Sequence, residues 1–278
     1  MSRTVIYTNG DHGFTSPTQL DDTKIRLAGT GPSLPAAPLI NLTGLLAMYT
    51  LDKVEVLGTS VTPNYGWVQS DPETSATFTN GVHVSHGTLF TDSNSGFTFE
   101  GKSVITNGGT LDALGGRYHS SLYTLNGSVS VGENSSADFS DVHLVGNGTV
   151  KLTAESATVS ASGIGGVGSG VHFDLTKGGM LNIDNGMNFL GRVDIGREAT
   201  VNINAPIFET TPLGAVSEIW HTKSDVLDLL GSSGQDLAHI QFAKGTRELY
   251  GAPNATTGGV SVSTHFAAGD LPITVVHS

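Results

Sequence analysis

Gly127-Ser-Val-Ser-Val131 returns 21 residues later as Gly148-Thr-Val-Lys-Leu152, and once more as Gly191-Arg-Val-Asp-Ile195. In each phrase a glycine opens a short run of alternating apolar and polar residues, the period of a strand with one buried face. Working outward, Gly44, Gly66, Gly87, Gly109, Gly127, Gly148, Gly170 and Gly191 are separated by 22, 21, 22, 18, 21, 22 and 21 residues. A second alternating piece trails the first, as Ala157-Thr-Val-Ser160 and Ala199-Thr-Val-Asn-Ile203. A pair of helices with its turns needs more than about 30 residues, so an interval near 20 excludes a helical repeat. It fits one coil of an all-β, parallel β-solenoid with coils of about 21 residues.

The alternation predicts Val129, Val131, Val150, Leu152, Val159, Phe173, Leu175, Leu181, Ile183, Val193, Ile195, Val201 and Ile203 as the inward set. Lys151 points to water, so Lys151→Asp is expected to be nearly silent where Val150→Asp is not. Polar clusters such as Gly132-Glu-Asn-Ser-Ser136 and Asp92-Ser-Asn-Ser-Gly96 supply the corners. One coil cannot bury its own apolar face, so stability comes from its neighbours. Eight coils at a strand spacing of about 4.8 Å give a rod about 40 Å long.

Three regions follow. Residues 1–40 form a lead-in with one strand at Thr4-Val-Ile-Tyr7 and a proline-rich loop from Gly31 to Pro38; the first regular coil is read at Leu45–Leu57. The solenoid occupies 41–207. Residues 208–278 form a small β-rich cap, assembly or secretion region, with strands at Ser224–Gly231, Ala238–Ala243, Gly259–Ser263 and Ile273–Val276.

The chain has 278 residues, 37 of them glycine without a collagen period, and only 14% are charged. A formal net charge of −12 argues against nucleic acid, which selects a basic surface. The longest apolar stretch, Pro38–Leu51, is broken by Asn41 and Thr43 and falls short of the roughly 20 residues of a membrane helix. There is no cysteine, hence no disulfide and no thiolate chemistry. The N-terminus does not read as a signal peptide.

In its Asn, Gly, Ser and Thr richness, its lack of cysteine and its imperfect coils, the body resembles the β-solenoid regions of bacterial secreted adhesins and matrix proteins. Asp225-Val-Leu-Asp-Leu-Leu-Gly231 and Ile240-Gln-Phe-Ala243 are similar to the C-terminal segments of large alphaproteobacterial surface proteins that leave by type I secretion. The resemblance implies an extracellular or surface protein exported without a cleaved leader. Gly-Gly-x-Gly-x-Asp calcium repeats are absent.

Polysaccharide lyases and hydrolases on this fold work through clustered carboxylates and a basic residue. Asp112, Arg117, Tyr118 and His119 are the nearest approach here, with no second carboxylate in evidence and a loop between strands as the plainer explanation. Asp92 and Asn94 alternate as the opening ligands of a calcium loop do, without its terminal Glu; calcium is the one cofactor entertained. His83 and His86 are three apart on an extended chain and so face opposite ways. Tyr65, Trp67, Tyr118 and Tyr123 are candidates for sugar stacking or for filling a wide coil.

With no convincing catalytic set, the open ends of the solenoid carry the functional reading. Val5, Ile6 and Tyr7 at one end and Ile273, Val275 and Val276 at the other are expected to pair with another copy by strand addition. A head-to-tail contact that does not close makes a filament. The expectation is a non-enzymatic extracellular structural protein whose partners are itself and a polysaccharide, with a β-helix polysaccharide enzyme, a tailspike-like protein or a monomeric adhesin as alternatives.

Overall fold

A computed structural model of the chain describes residues 3–206, apart from 22, 34, 116–120, 163–164, 185–187 and 197. Beyond 206 it describes 217–221, 224–230, 234, 236–242, 244, 260–264 and 270–277. The chain is a parallel β-solenoid, 60% strand and 2% helix, with about eight coils of about 23 residues.

Three strands make a coil, one on each face of a three-sided rod. A typical coil runs Ser75–Phe78, Val82–Ser85 and Gly87–Ser93 on the first, second and third faces, and the next repeats it as Gly96–Phe99, Lys102–Thr106 and Thr110–Gly115. Each strand pairs in parallel with its counterpart one coil away, Phe97 beside Ala76, Val104 beside His83 and Leu111 beside Leu89. The ten-residue strand Met48–Leu57 turns one corner without a break, pairing through Met48–Leu51 with the first face and through Val54–Leu57 with the second.

The near-constant glycine interval combines two different corners. Gly87 opens a third-face strand and Gly109 stands just before the next, whereas Gly127, Gly148 and Gly191 precede second-face strands. The short step of 18 between Gly109 and Gly127 is the jump from one series to the other. Close backbone approach explains the residue type: a Cβ on Gly127 would lie 1.9 Å from the Gly101 carbonyl oxygen of the adjacent coil, and one on Gly87 would lie 1.8 Å from that of Asn64. Positive φ at the corners falls to other glycines, such as Gly81, Gly101 and Gly108, and to residues such as Asn107 and Asn134.

Winding begins earlier than the glycines indicate. Arg3–Tyr7 pairs in parallel with Thr23–Leu27, and Asp11–Phe14 with Leu39–Leu42, so the first 42 residues already stack on the second and third faces. Ile25, Leu27, Ile40 and Leu42 are fully buried there. Leu45 and Leu46, read as the start of a coil, sit on an exposed corner with Leu46 at φ 56°.

The core is one continuous column of the inward residues; all of the expected set are buried except Ile195, which is partly covered. At its centre Phe78, Phe97, Phe99 and Tyr123 pack ring on ring, with centroids 5.2 to 6.1 Å apart. Four C-terminal strands are present where the sequence placed them, but they fold back. Ser217–Trp220, Val226–Leu230 and Asp236–Phe242 form an antiparallel meander joined to the second face at Val193. Asp270–His277 runs antiparallel beside Ala199–Pro206, with Val260–Thr264 on its far side.

Lys151 does face outward, but it bonds Asp174 of the next coil at 3.1 Å, and Asp174 pairs in register with Asp194. Lys151→Asp would line up three carboxylates, so the silence expected from the alternation does not follow. We predict that Val150→Asp costs about 3–5 kcal/mol by burying an unpaired charge. Lys151→Ala is expected to cost at most about 1 kcal/mol, the worth of an exposed pair, and Lys151→Asp to fall between them. Urea unfolding of the three variants gives the order; a Lys151→Asp protein as damaged as Val150→Asp would contradict the assigned register.

Candidate functional site

The end of the rod at Arg3–Phe14 differs from every other coil. Among the described residues Arg3–Tyr7 has a strand partner on one side only, and so does Asp11–Phe14. The Tyr7 carbonyl accepts from the Ala28 amide at 2.8 Å. By the alternation of a strand, Arg3, Val5 and Tyr7 therefore aim their backbone groups at Thr23–Leu27, while Thr4 and Ile6 aim theirs away from it. Among the described residues no coil lies above the inward side chains: Val5, Tyr7 and Phe14 are only half-buried, and the outward Ile6 is 56% exposed. Tyr7 packs against His12 and, edge on, against Phe14, with centroids 4.3 and 6.4 Å apart. Burial pushes the Tyr7 phenol up, with Arg3 acting in the opposite sense.

The opposite end departs from the expectation of a second free strand. Ile273, Val275 and Val276 lie in Asp270–His277, whose backbone has neighbours on both sides. Among the described strands the outermost on the second and third faces are instead Ser217–Trp220 and Val260–Thr264.

A second cluster stands on the outer side of the third face. Trp67, Phe90, Asp112, Asp138, Ser160, Asn182 and Asn202 occupy one register column, each beside the next. Trp67 and Phe90 stack at 4.3 Å with planes 19° apart. Their faces are turned to each other along the rod, so the pair presents ring edges rather than a flat platform to solvent. Below them Asp112 lies directly beside Asp138. Burial first, then the carboxylates of Asp138 and Asp141, push the Asp112 carboxyl up to about 6.

Sequence reading found Asp112 but not its partner, because Asp138 is 26 residues away. A signal existed: Thr110-Leu-Asp112 and Ser136-Ala-Asp138 are the same phrase one coil apart. Arg117, Tyr118 and His119 lie outside the described residues. Tyr123 is a core residue and no sugar platform: it is fully buried and its hydroxyl donates to the Thr91 carbonyl at 2.8 Å. Tyr65 is half-buried at a corner hollow with His86 and Pro63. His83 lies on the second face, whereas His86 is a corner residue with φ 51°.

Asp92 and Asn94 each hold a buried side-chain oxygen without a hydrogen-bond partner, and burial pushes the Asp92 carboxyl up. Two such oxygens are fewer than the roughly six to eight that calcium takes. Among the described residues no group of three or more His, Asp or Glu is arranged to hold a metal ion.

The fold and these sites define the class, a three-faced parallel β-solenoid closed at one end by antiparallel strands. No family model matches the chain, and no curated protein is detectably similar to it.

The raised Asp112 carboxyl has a consequence for stability. Its folded pKa exceeds the unfolded value, so the folded state holds the proton more tightly; stability is greater below about pH 4 and declines as pH rises to about 6. Asp112→Asn should therefore raise stability at pH 7, on the order of 1 kcal/mol after allowing for solvent screening, and have little effect at pH 4. Melting temperatures of both proteins at the two pH values check this. A variant less stable than the parent at pH 7 would mean that ionised Asp112 has a compensating partner.

Proposed function

We propose that this protein is a non-enzymatic extracellular structural subunit that assembles head to tail. The observation that carries the reading is the coil at Arg3–Phe14, which among the described residues has two adjacent strand edges unpaired and the aromatics Tyr7 and Phe14 half-covered. In the assembly, Ser217–Trp220 and Val260–Thr264 of one copy extend the second and third faces of the next by strand addition, as each face already has a strand at either end. Such a contact is heterologous and does not close, so it builds a filament. Surface or matrix location, and export of the adhesin and type I kind, belong to the same reading and rest on the sequence resemblance.

Proline can blunt the edge without touching the existing ladder, because the amides of Thr4 and Ile6 point away from Thr23–Leu27. Electron microscopy of the purified protein should show fibres, and Thr4→Pro/Ile6→Pro should abolish them while circular dichroism stays unchanged. Ordered fibres from the double variant would exclude this edge as the linker. A parent protein that stays monomeric in all salt and calcium conditions would exclude the filament.

The Asp112–Asp138 pair favours a second reading, a carbohydrate-active enzyme, since paired carboxylates with one raised pKa can divide acid and base roles. We expect no turnover: incubation with pectin, alginate or similar polysaccharides should release no new reducing or unsaturated ends. Release that disappears in Asp112→Asn would establish the enzymatic reading instead.

A further inference from the structure

The second face carries a concentration of positive charge on a chain whose formal net charge is −12. Lys24 lies beside Lys53 in the ladder. Val54 pairs with Val82, and His83 with Val104, so Lys53 and Lys102 flank Gly81 from the coils on either side. Gly81 has φ +69°, and a Cβ there would lie 2.5 Å from the Ser103 hydroxyl and 2.8 Å from the Lys102 backbone. No side chain fits, and the gap between the two lysines is enforced by the backbone. The resulting hollow is lined by Lys24, Asp52, Lys53, Asn80, Lys102 and Val104.

The charges around it are unequal. Glu55, 4% exposed, binds Lys24 at 2.8 Å and Arg26 at 3.1 Å. Burial works against its ionisation, yet the hydrogen bonds from Lys24 and Arg26 prevail and hold the carboxyl below its ordinary value. Asp52 accepts from the Asn80 amide. Lys53 and Lys102 make no ion pair among the described residues. Next to them His83 is pushed down, by burial first and then by Lys53 and Lys24 against the opposing pull of Glu55. The positive character of the hollow rests on its geometry, with Lys53 and Lys102 on either side of Gly81 and no carboxylate paired to them among the described residues.

We propose that this hollow binds a linear acidic polysaccharide lying along the rod, its carboxylate or sulfate groups held by Lys53 and Lys102. Lys24 is taken by Glu55, while Lys53 and Lys102 stand two coil spacings apart, about 10 Å along the rod, a separation suited to a polymer that carries charges at intervals. Asp52 and Asn80 at the side of the hollow offer the acceptor and carbonyl that sugar hydroxyls use. Nucleic acid is the poorer fit, because its denser charge meets the repulsion of an acidic protein.

Isothermal titration at low salt tests this with polygalacturonate, dextran sulfate, uncharged dextran, inorganic sulfate and single-stranded DNA. At least one acidic glycan should bind, with affinity falling as salt rises; binding of polygalacturonate alone assigns carboxylate, of dextran sulfate alone sulfate. Lys53→Gln/Lys102→Gln should weaken binding by about tenfold or more, as expected for losing two polyanion contacts. Lys53→Arg/Lys102→Arg should retain it, and Lys177→Gln, on a distant exposed turn, should leave it unchanged. The melting temperature of each variant reports folding separately from binding. The proposal is overturned if uncharged dextran binds as well as the acidic glycans, if the double Gln variant keeps full affinity, or if DNA binds as tightly. Complete competition by inorganic sulfate, which would make the hollow a small-anion site, overturns it too.

Discussion

The strand ladders of the solenoid, and with them most of its backbone hydrogen bonds, run between coils. A strand in this chain pairs with the strand above and the strand below, never with its immediate neighbour in sequence until the antiparallel strands after Pro206. A lone coil would leave three rows of donors and acceptors unpaired and its apolar face wet. Cohesion is therefore collective, and each coil depends on being stacked in register. The close approaches at Gly87 and Gly127 follow from this, since a Cβ at either position would push apart two coils that must touch.

Register also decides which side chains meet. Residues some 20 to 29 apart in sequence become neighbours about 4.8 Å apart, coil upon coil. Within the core this stacks Phe78, Phe97 and Tyr123. On the outer side of the third face it lays the Asn202 side-chain amide on the Asn182 side-chain carbonyl at 2.9 Å, and inside the rod it joins the buried hydroxyls of Ser70 and Ser93. The same arithmetic brings Asp112 to Asp138 and sets Lys53 and Lys102 on either side of Gly81. Like charges placed in such columns repel, and an arrangement of that kind invites a counter-ligand more readily than it stabilises the fold.

The two ends solve the exposed-edge problem differently. After Ile203 the chain reverses and covers its own last coil with antiparallel strands, among them the Val226–Leu230 strand, whose Asp228 carboxylate is held by His221 and His239 at 2.5 Å each. At Arg3–Phe14 no described residue covers Tyr7 and Phe14 in the same way. That asymmetry gives the rod a direction.

The alternation in Gly127–Val131 and Gly148–Leu152 was enough to determined strand type, the inward residues and the solenoid, because a period of two inside a period near 21 leaves few other ways to bury one face. The same local signal located the C-terminal strands. It could not say that they turn antiparallel, because pairing direction depends on loop paths and not on the strands. Nor could it show that Lys24–Leu27 and Leu39–Leu42 are already wound, since no glycine of the series marks them. The candidate sites were less legible still. Asp112 was visible as a residue, but its pairing with Asp138, the burial of Tyr123 and the lysines around Gly81 arise from coil lengths that vary between 20 and 29 residues. Periodicity sets which way a side chain points; only the tertiary winding, with its irregular corners, sets what it points beside.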